Sequence, residues 1–106
     1  MSINAHCPHQ AQIIFRVLGE HERVHEVGGR EAQTLFCLHQ AGMNGVTAQE
    51  LSSWALRLSA YVHKLRHIYG LDIITRREPN HDSGHHARYV LLDAVEILSI
   101  IPVEKS

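Results

Sequence analysis

Cysteine is scarce in this chain. Cys7 and Cys37 are the only two among 106 residues, and no apolar signal segment precedes either. Reduced thiols in a cytoplasmic protein are therefore expected. No apolar run approaches the length of a membrane-spanning helix, and no low-complexity run interrupts a globular balance of 44% hydrophobic and 20% charged residues. The length suits one domain with a modest core. Net charge is lacking too. A formal value of −1 excludes nucleic-acid binding driven by overall charge alone. Enzyme signatures are missing: there is no Gly-rich phosphate loop, no nucleophile elbow and no paired-carboxylate motif. The chain is expected not to be an enzyme and to need no cofactor. Cys37 lies mid-helix beside an apolar face and reads as a buried inert thiol.

What is abundant is histidine. Ten imidazoles make the charge pH-sensitive, so binding to a polyanion should tighten as the pH falls toward ~6. Two histidine clusters, His6-Cys7-Pro8-His9 and His81 with His85-His86, invite a metal reading. Neither supplies the paired four-ligand spacing of a structural zinc site, so no metal is expected. Fixed charge is unevenly placed. Between residues 56 and 92, six basic side chains (Arg57, Lys64, Arg66, Arg76, Arg77, Arg88) face three acidic ones (Asp72, Glu78, Asp82), a local balance of +3. Residues 1–28 carry −1 and residues 93–106 carry −2.

Hydrophobic periodicity gives an expected element order. Pro8 suits a first helical turn, and Ile13, Val17 and Val24 share a helical face with Ile14 and Leu18 beside it. This predicts a helix over 8–26, ended by Gly28-Gly29. Ala32, Leu35, Phe36 and Leu38 predict a second helix over 30–40, stopped at Gly42. Thr47 and Glu50 have capping-box spacing, with Val46 placed to staple, which predicts a third helix over 48–54. Leu58, Val62, Leu65 and Tyr69 form the stripe of a fourth over 56–69, leaving Ala60, His63, Lys64 and His67 on the opposite face. After Gly70, β-branched residues 71–78, turn residues 80–84 and the alternating run 86–92 read as a β-hairpin. Asp93 and Glu96 repeat the capping spacing and predict a short helix over 94–101.

The expected fold is α+β: a winged helix-turn-helix with a three-helix core and a β-hairpin wing. An extra N-terminal helix and a short C-terminal helix flank it. The expected divisions are an extension (1–28), the winged domain (29–92) and a short helix with tail (93–106).

The string Arg57-Leu58-Ser59-Ala60-Tyr61-Val62-His63-Lys64-Leu65-Arg66, followed by Gly70-Leu71-Asp72-Ile73 and later Ala87-Arg88-Tyr89-Val90-Leu91, resembles the small winged helix-turn-helix domains common in phage and prophage genomes. The resemblance covers about residues 30–92. It departs at Tyr61, where that family often has a basic residue. It implies a transcriptional regulator that binds double-stranded DNA sequence-specifically. Helix 56–69 would read the major groove and the wing at 79–86 would touch the backbone.

The candidate contacts are Arg57, Ser59, Ala60, His63, Lys64 and His67 on the helix, and Arg76, Arg77, His85 and Arg88 on the wing. Lysine and arginine can bond guanine edges or phosphates, and a cation is favoured near the minor groove. Arg76 and Arg77 must point oppositely on a strand, and Arg88 can instead pair with Glu78 across the hairpin. The N-terminal helix could carry a homodimer, because residues 13–18 offer more apolar surface than one small domain need bury. The rival expectation is a winged helix that binds protein, sequestering a host factor or blocking a defence complex.

Overall fold

The computed structural model describes residues 11–102. Pro8, the cluster His6-Cys7-Pro8-His9 and the tail 103–106 lie outside that range. Among the described residues, two α-helices and six strands appear, in the order β1 (Ala11–Val17), β2 (Arg23–Gly28), α1 (Gly29–Ala41), β3 (Val46–Thr47), α2 (Leu58–Tyr69), β4 (Ile73–Pro79), β5 (His85–Leu91) and β6 (Val95–Pro102). Short 3₁₀ turns at Gly42–Asn44 and Ser53–Arg57 fill the gaps. The strands form two antiparallel three-stranded sheets, ordered β2-β1-β6 and β3-β5-β4. Helix α1 packs against α2 and against strands of both sheets, so one core joins the whole.

Three expected helices are overturned. The segment expected to be an N-terminal helix is the β1–β2 hairpin. Its Ile13 and Val17, four residues apart, satisfy a period of two as well as a helical one. Phe15 decides between them, since it is fully buried with Ile13, whereas a helix would set it on the opposite side. Val24, the third member of the supposed helical face, is 53% exposed. The homodimer surface expected on that helix loses its carrier, because Ile13, Phe15 and Val17 point into the protein's own core.

The C-terminal helix is likewise a strand, β6, paired with β1. Its supposed capping residues serve elsewhere. Asp93 Oδ2 accepts the Asp72 amide at 2.8 Å, and Glu96 meets Arg16 at 2.9 Å.

The third correction lies in the three-helix core, whose middle member is not an α-helix. The capping box does form: the Thr47 amide donates to Glu50 Oε1 at 3.1 Å, and the Glu50 amide donates to Thr47 Oγ1 at 3.2 Å. The chain then makes one tight turn, with the Leu51 amide on the Ala48 carbonyl. It becomes extended at Ser52 and re-enters as the 3₁₀ turn. Thr47 is held in β3 opposite Arg88, so the cap is tied to a sheet before a helix can grow. Serines at 52 and 53 have little helical preference to counter that restraint.

Helices α1 and α2 and the β4–β5 hairpin follow expectation to within about two residues at each end, whereas β3 is not an expected element. Helix α2 buries Leu58, Val62 and Leu65 and stops at Gly70, whose φ of 67° is the left-handed C-terminal geometry. Arg23 Nη2 donates to the carbonyls of Tyr69 and Gly70 at 3.3 and 3.1 Å, placing a cation at the negative end of the helix. Arg66 reaches back from α2 to the Ile73 carbonyl, at 2.8 Å from Nε and 2.6 Å from Nη2. Its Nη2 also meets Thr75 Oγ1 at 2.7 Å. These bonds fix the angle between α2 and the β4–β5 hairpin, which is what positions the candidate site.

Candidate nucleic-acid interface

The outer face of α2 follows from its inner one. With the stripe from Leu58 buried, Ser59, His63, Lys64 and His67 emerge into solvent, and Ala60 is half-buried at the edge of the face. Arg57 is exposed on the preceding 3₁₀ turn and has no hydrogen bond or ion pair among the described residues. His63 and His67, one turn apart, set their ring centroids 4.1 Å from each other. Lys64 Nζ lies 3.8 Å from Glu31 on α1 with 55% of its side chain exposed, a pair loose enough for the ammonium to turn toward another anion.

On the hairpin, Arg76 and Arg77 face opposite sides as expected for consecutive strand residues. Arg76 Nη2 donates to the Met43 carbonyl at 2.8 Å. Arg77 is exposed and makes no such contact among the described residues. His85 is exposed at the base of the wing loop. That loop is closed by the Asn80 amide on the Gly84 carbonyl at 3.0 Å, and by Asn80 Nδ2 on the Ser83 carbonyl at 3.1 Å. The neighbouring His86 sets Nδ1 2.6 Å from Asn80 Oδ1 and Nε2 3.1 Å from Glu78 Oε1.

Arg88 is placed differently from the other candidates. Its side chain is only 19% exposed. Nε donates to Glu78 Oε2 at 2.8 Å, and Nη1 and Nη2 donate to the two carboxylate oxygens of Glu50, each at 3.0 Å. Nη1 also reaches the Asn44 carbonyl at 3.1 Å. The guanidinium's hydrogen bonds hold both Glu50 and Glu78 below the ordinary glutamate value of 4.5, and the two carboxylates in turn raise Arg88.

The pairing with Glu78 is visible in the sequence as a cross-strand neighbour, but the partnership with Glu50 is not. Nothing in a separation of 38 residues announces it, and Glu50 already has a local reading as the capping residue. Sequence reasoning also missed an aromatic stack beside α2. Trp54 and Tyr61 lie 6.3 Å apart at 27°, and Arg30 covers Trp54 at 5.4 Å.

A recognition-type helix with a polar outer face, clamped at a fixed angle to a β-hairpin, defines a winged-helix protein. A family model described as a winged helix domain matches residues 24–101, and the chain belongs to that family. No curated protein and no solved structure matches it. Membership in this family supports DNA binding in general. Among the described residues, no helix is long and apolar enough to cross a membrane.

Proposed function

We propose that the protein is a sequence-specific regulator that binds double-stranded DNA and has no catalytic activity of its own. Helix α2 enters the major groove and the β4–β5 wing lies on the flanking backbone. The observation that carries this reading is the sorting of cations. Arg23, Arg66 and Arg88 are spent on the fold, while Arg57, Lys64 and Arg77 stay exposed and able to meet another anion. Ser59, His63 and His67 add neutral donors and acceptors beside Lys64 on the same face, and Arg76 and His85 extend the polar surface along the wing. The phage or prophage setting rests on the sequence resemblance. Fluorescence polarisation against genomic fragments tests the reading. It expects a preferred site whose affinity falls steeply with salt, and equal, salt-insensitive weakness for every fragment would refute it.

A second reading is favoured by specific features: a protein-interaction module that binds and inhibits a host factor or defence complex. Two carboxylates neutralise Arg88 at the base of the wing, and Tyr61 occupies a position the resembling domains often give to a base. Leu56 on the turn before α2 and Ile68 in its last turn are 85% and 64% exposed. A stoichiometric protein partner recovered without salt-sensitive DNA binding decides for this reading.

A further inference from the structure

We infer that the outer edge of β6 pairs with the same edge of a second copy of this chain. The pairing forms a homodimer with one continuous six-stranded sheet. Strand β6 has β1 on one side and, among the described residues, no strand on the other. The direction of its free backbone groups follows from one bond. The Leu18 amide donates to the Ala94 carbonyl at 2.9 Å while Val17 stands opposite Val95. Val17 and Val95 are therefore a non-hydrogen-bonded pair, and the Val95 N–H and C=O point away from β1. His39 Nε2 meets that Val95 carbonyl at 3.0 Å. Two residues on, Ile97 has the same orientation opposite Phe15, and its N–H and C=O have no partner among the described residues.

Edges of this kind are ordinarily protected by charge, proline or shortness. In the second sheet, β3 has two residues and β4 carries Arg76, Arg77 and Pro79. In the first, β2 carries Arg23 and Glu26. Strand β6 spans eight residues, VEILSIIP, with a single charge. That charge, Glu96, is already matched by Arg16 from the adjacent strand, so it does not repel an approaching copy. Leu98 and Ile101 stay 41% and 42% exposed on this edge strand. They supply apolar surface for a partner strand to cover.

A second copy fits better than an unlike strand because the edge is self-complementary. An antiparallel two-fold brings apolar residues against apolar residues and leaves no buried charge unpaired. The assembly also closes. Pro102 lacks an N–H and ends the ladder, the extra residue at Leu98 interrupts slippage, and the exposed Glu26 on β2 disfavours addition of a third copy at the opposite edge.

Sedimentation velocity on the full chain, from low to high micromolar, together with hydrogen exchange of the Ile97 amide, tests the inference. The expected result is a monomer–dimer equilibrium in which Ile97 exchange slows as dimer accumulates. Leu98→Lys and Ile101→Lys should each weaken association about tenfold or more, with the monomer's circular dichroism unchanged. Three results would overturn it: a monomer throughout, a dimer whose Ile97 exchange ignores concentration, or a monomer with Ile97 already protected. The last would mean that the chain's own terminal residues occupy the edge. If either lysine variant misfolds, the exchange measurement on the unaltered protein decides alone.

Discussion

Arg88 and Glu50 face each other fork to fork, each of the two terminal guanidinium nitrogens 3.0 Å from its own carboxylate oxygen. The pair locks the turn after β3 onto β5. Because Arg88 also holds Glu78, its removal strands two carboxylates at once. Arg88→Met should lower unfolding stability by ~1–3 kcal/mol. That is below the figure for a fully buried pair because the Glu50 side chain is half exposed. Urea denaturation measures it, and a loss near zero would reduce the network to surface decoration.

Acid should dissolve the same network. Glu50 and Glu78 titrate lower in the folded protein than the ordinary value of 4.5. Their contribution is therefore complete above that value and is lost as the pH falls through the lowered folded values. Melting temperature should hold from neutral pH to about 5 and then decline. Glu78→Gln should start lower at neutral pH but decline less steeply. An identical acid slope in the variant would place the sensitivity elsewhere.

Gly45 should tolerate no side chain. Its φ is +65°, and a Cβ there would sit 2.5 Å from the Tyr89 carbonyl oxygen and 2.8 Å from Val90 Cγ2. The backbone oxygen cannot move aside without breaking the β3–β5 pairing. Gly45→Ala should cost ~2–4 kcal/mol, combining left-handed strain with overpacking. A chemical-denaturation midpoint within error of the parent would contradict it.

DNA binding should separate two kinds of cation. Lys64→Ala and Arg57→Ala should each cost ~1–3 kcal/mol at the preferred site if they touch bases. Arg77→Ala should weaken all fragments alike and reduce the salt slope by about 1. Arg66→Ala, by contrast, should act mainly through stability, since its guanidinium is committed to Ile73 and Thr75. Unaltered affinity in the Lys64/Arg57 double variant would remove α2 as the reading helix.

The sequence was legible where a single period dominated. The stripe of Leu58, Val62 and Leu65 fixed α2, Gly70 fixed its end, and the β-branched run from Ile73 with its polar turn fixed the hairpin. It misled where a local rule had two uses. Spacings of four fit strands as well as helices at Ile13 and Val17, and capping-box spacing at Asp93 and Glu96 served unrelated long-range bonds. At Thr47 and Glu50 the cap forms as its spacing predicts. The helix it announces was overruled by the pairing of β3 with β5 and by the Arg88 fork, both products of tertiary structure. On the candidate site, residue type revealed which side chains are cationic but not which were already engaged. Arg88 carries two readings in the sequence, a DNA contact and a pairing with Glu78, and the structure shows the pairing together with an unannounced second carboxylate, Glu50.

The pairing of β1 with β6 has a consequence for how the protein comes to be folded. Residues 11–17 find their central partner only in residues 95–102, so the first strand must wait through synthesis of nearly everything between. Until then β1 can pair only with β2, and an isolated two-stranded hairpin is marginally stable at best. Ile13 and Phe15, which end fully buried, are left on an incomplete sheet during that interval. Loop closure over such a separation slows folding. The waiting hairpin is thus where a chaperone or a premature strand partner would find this chain most vulnerable.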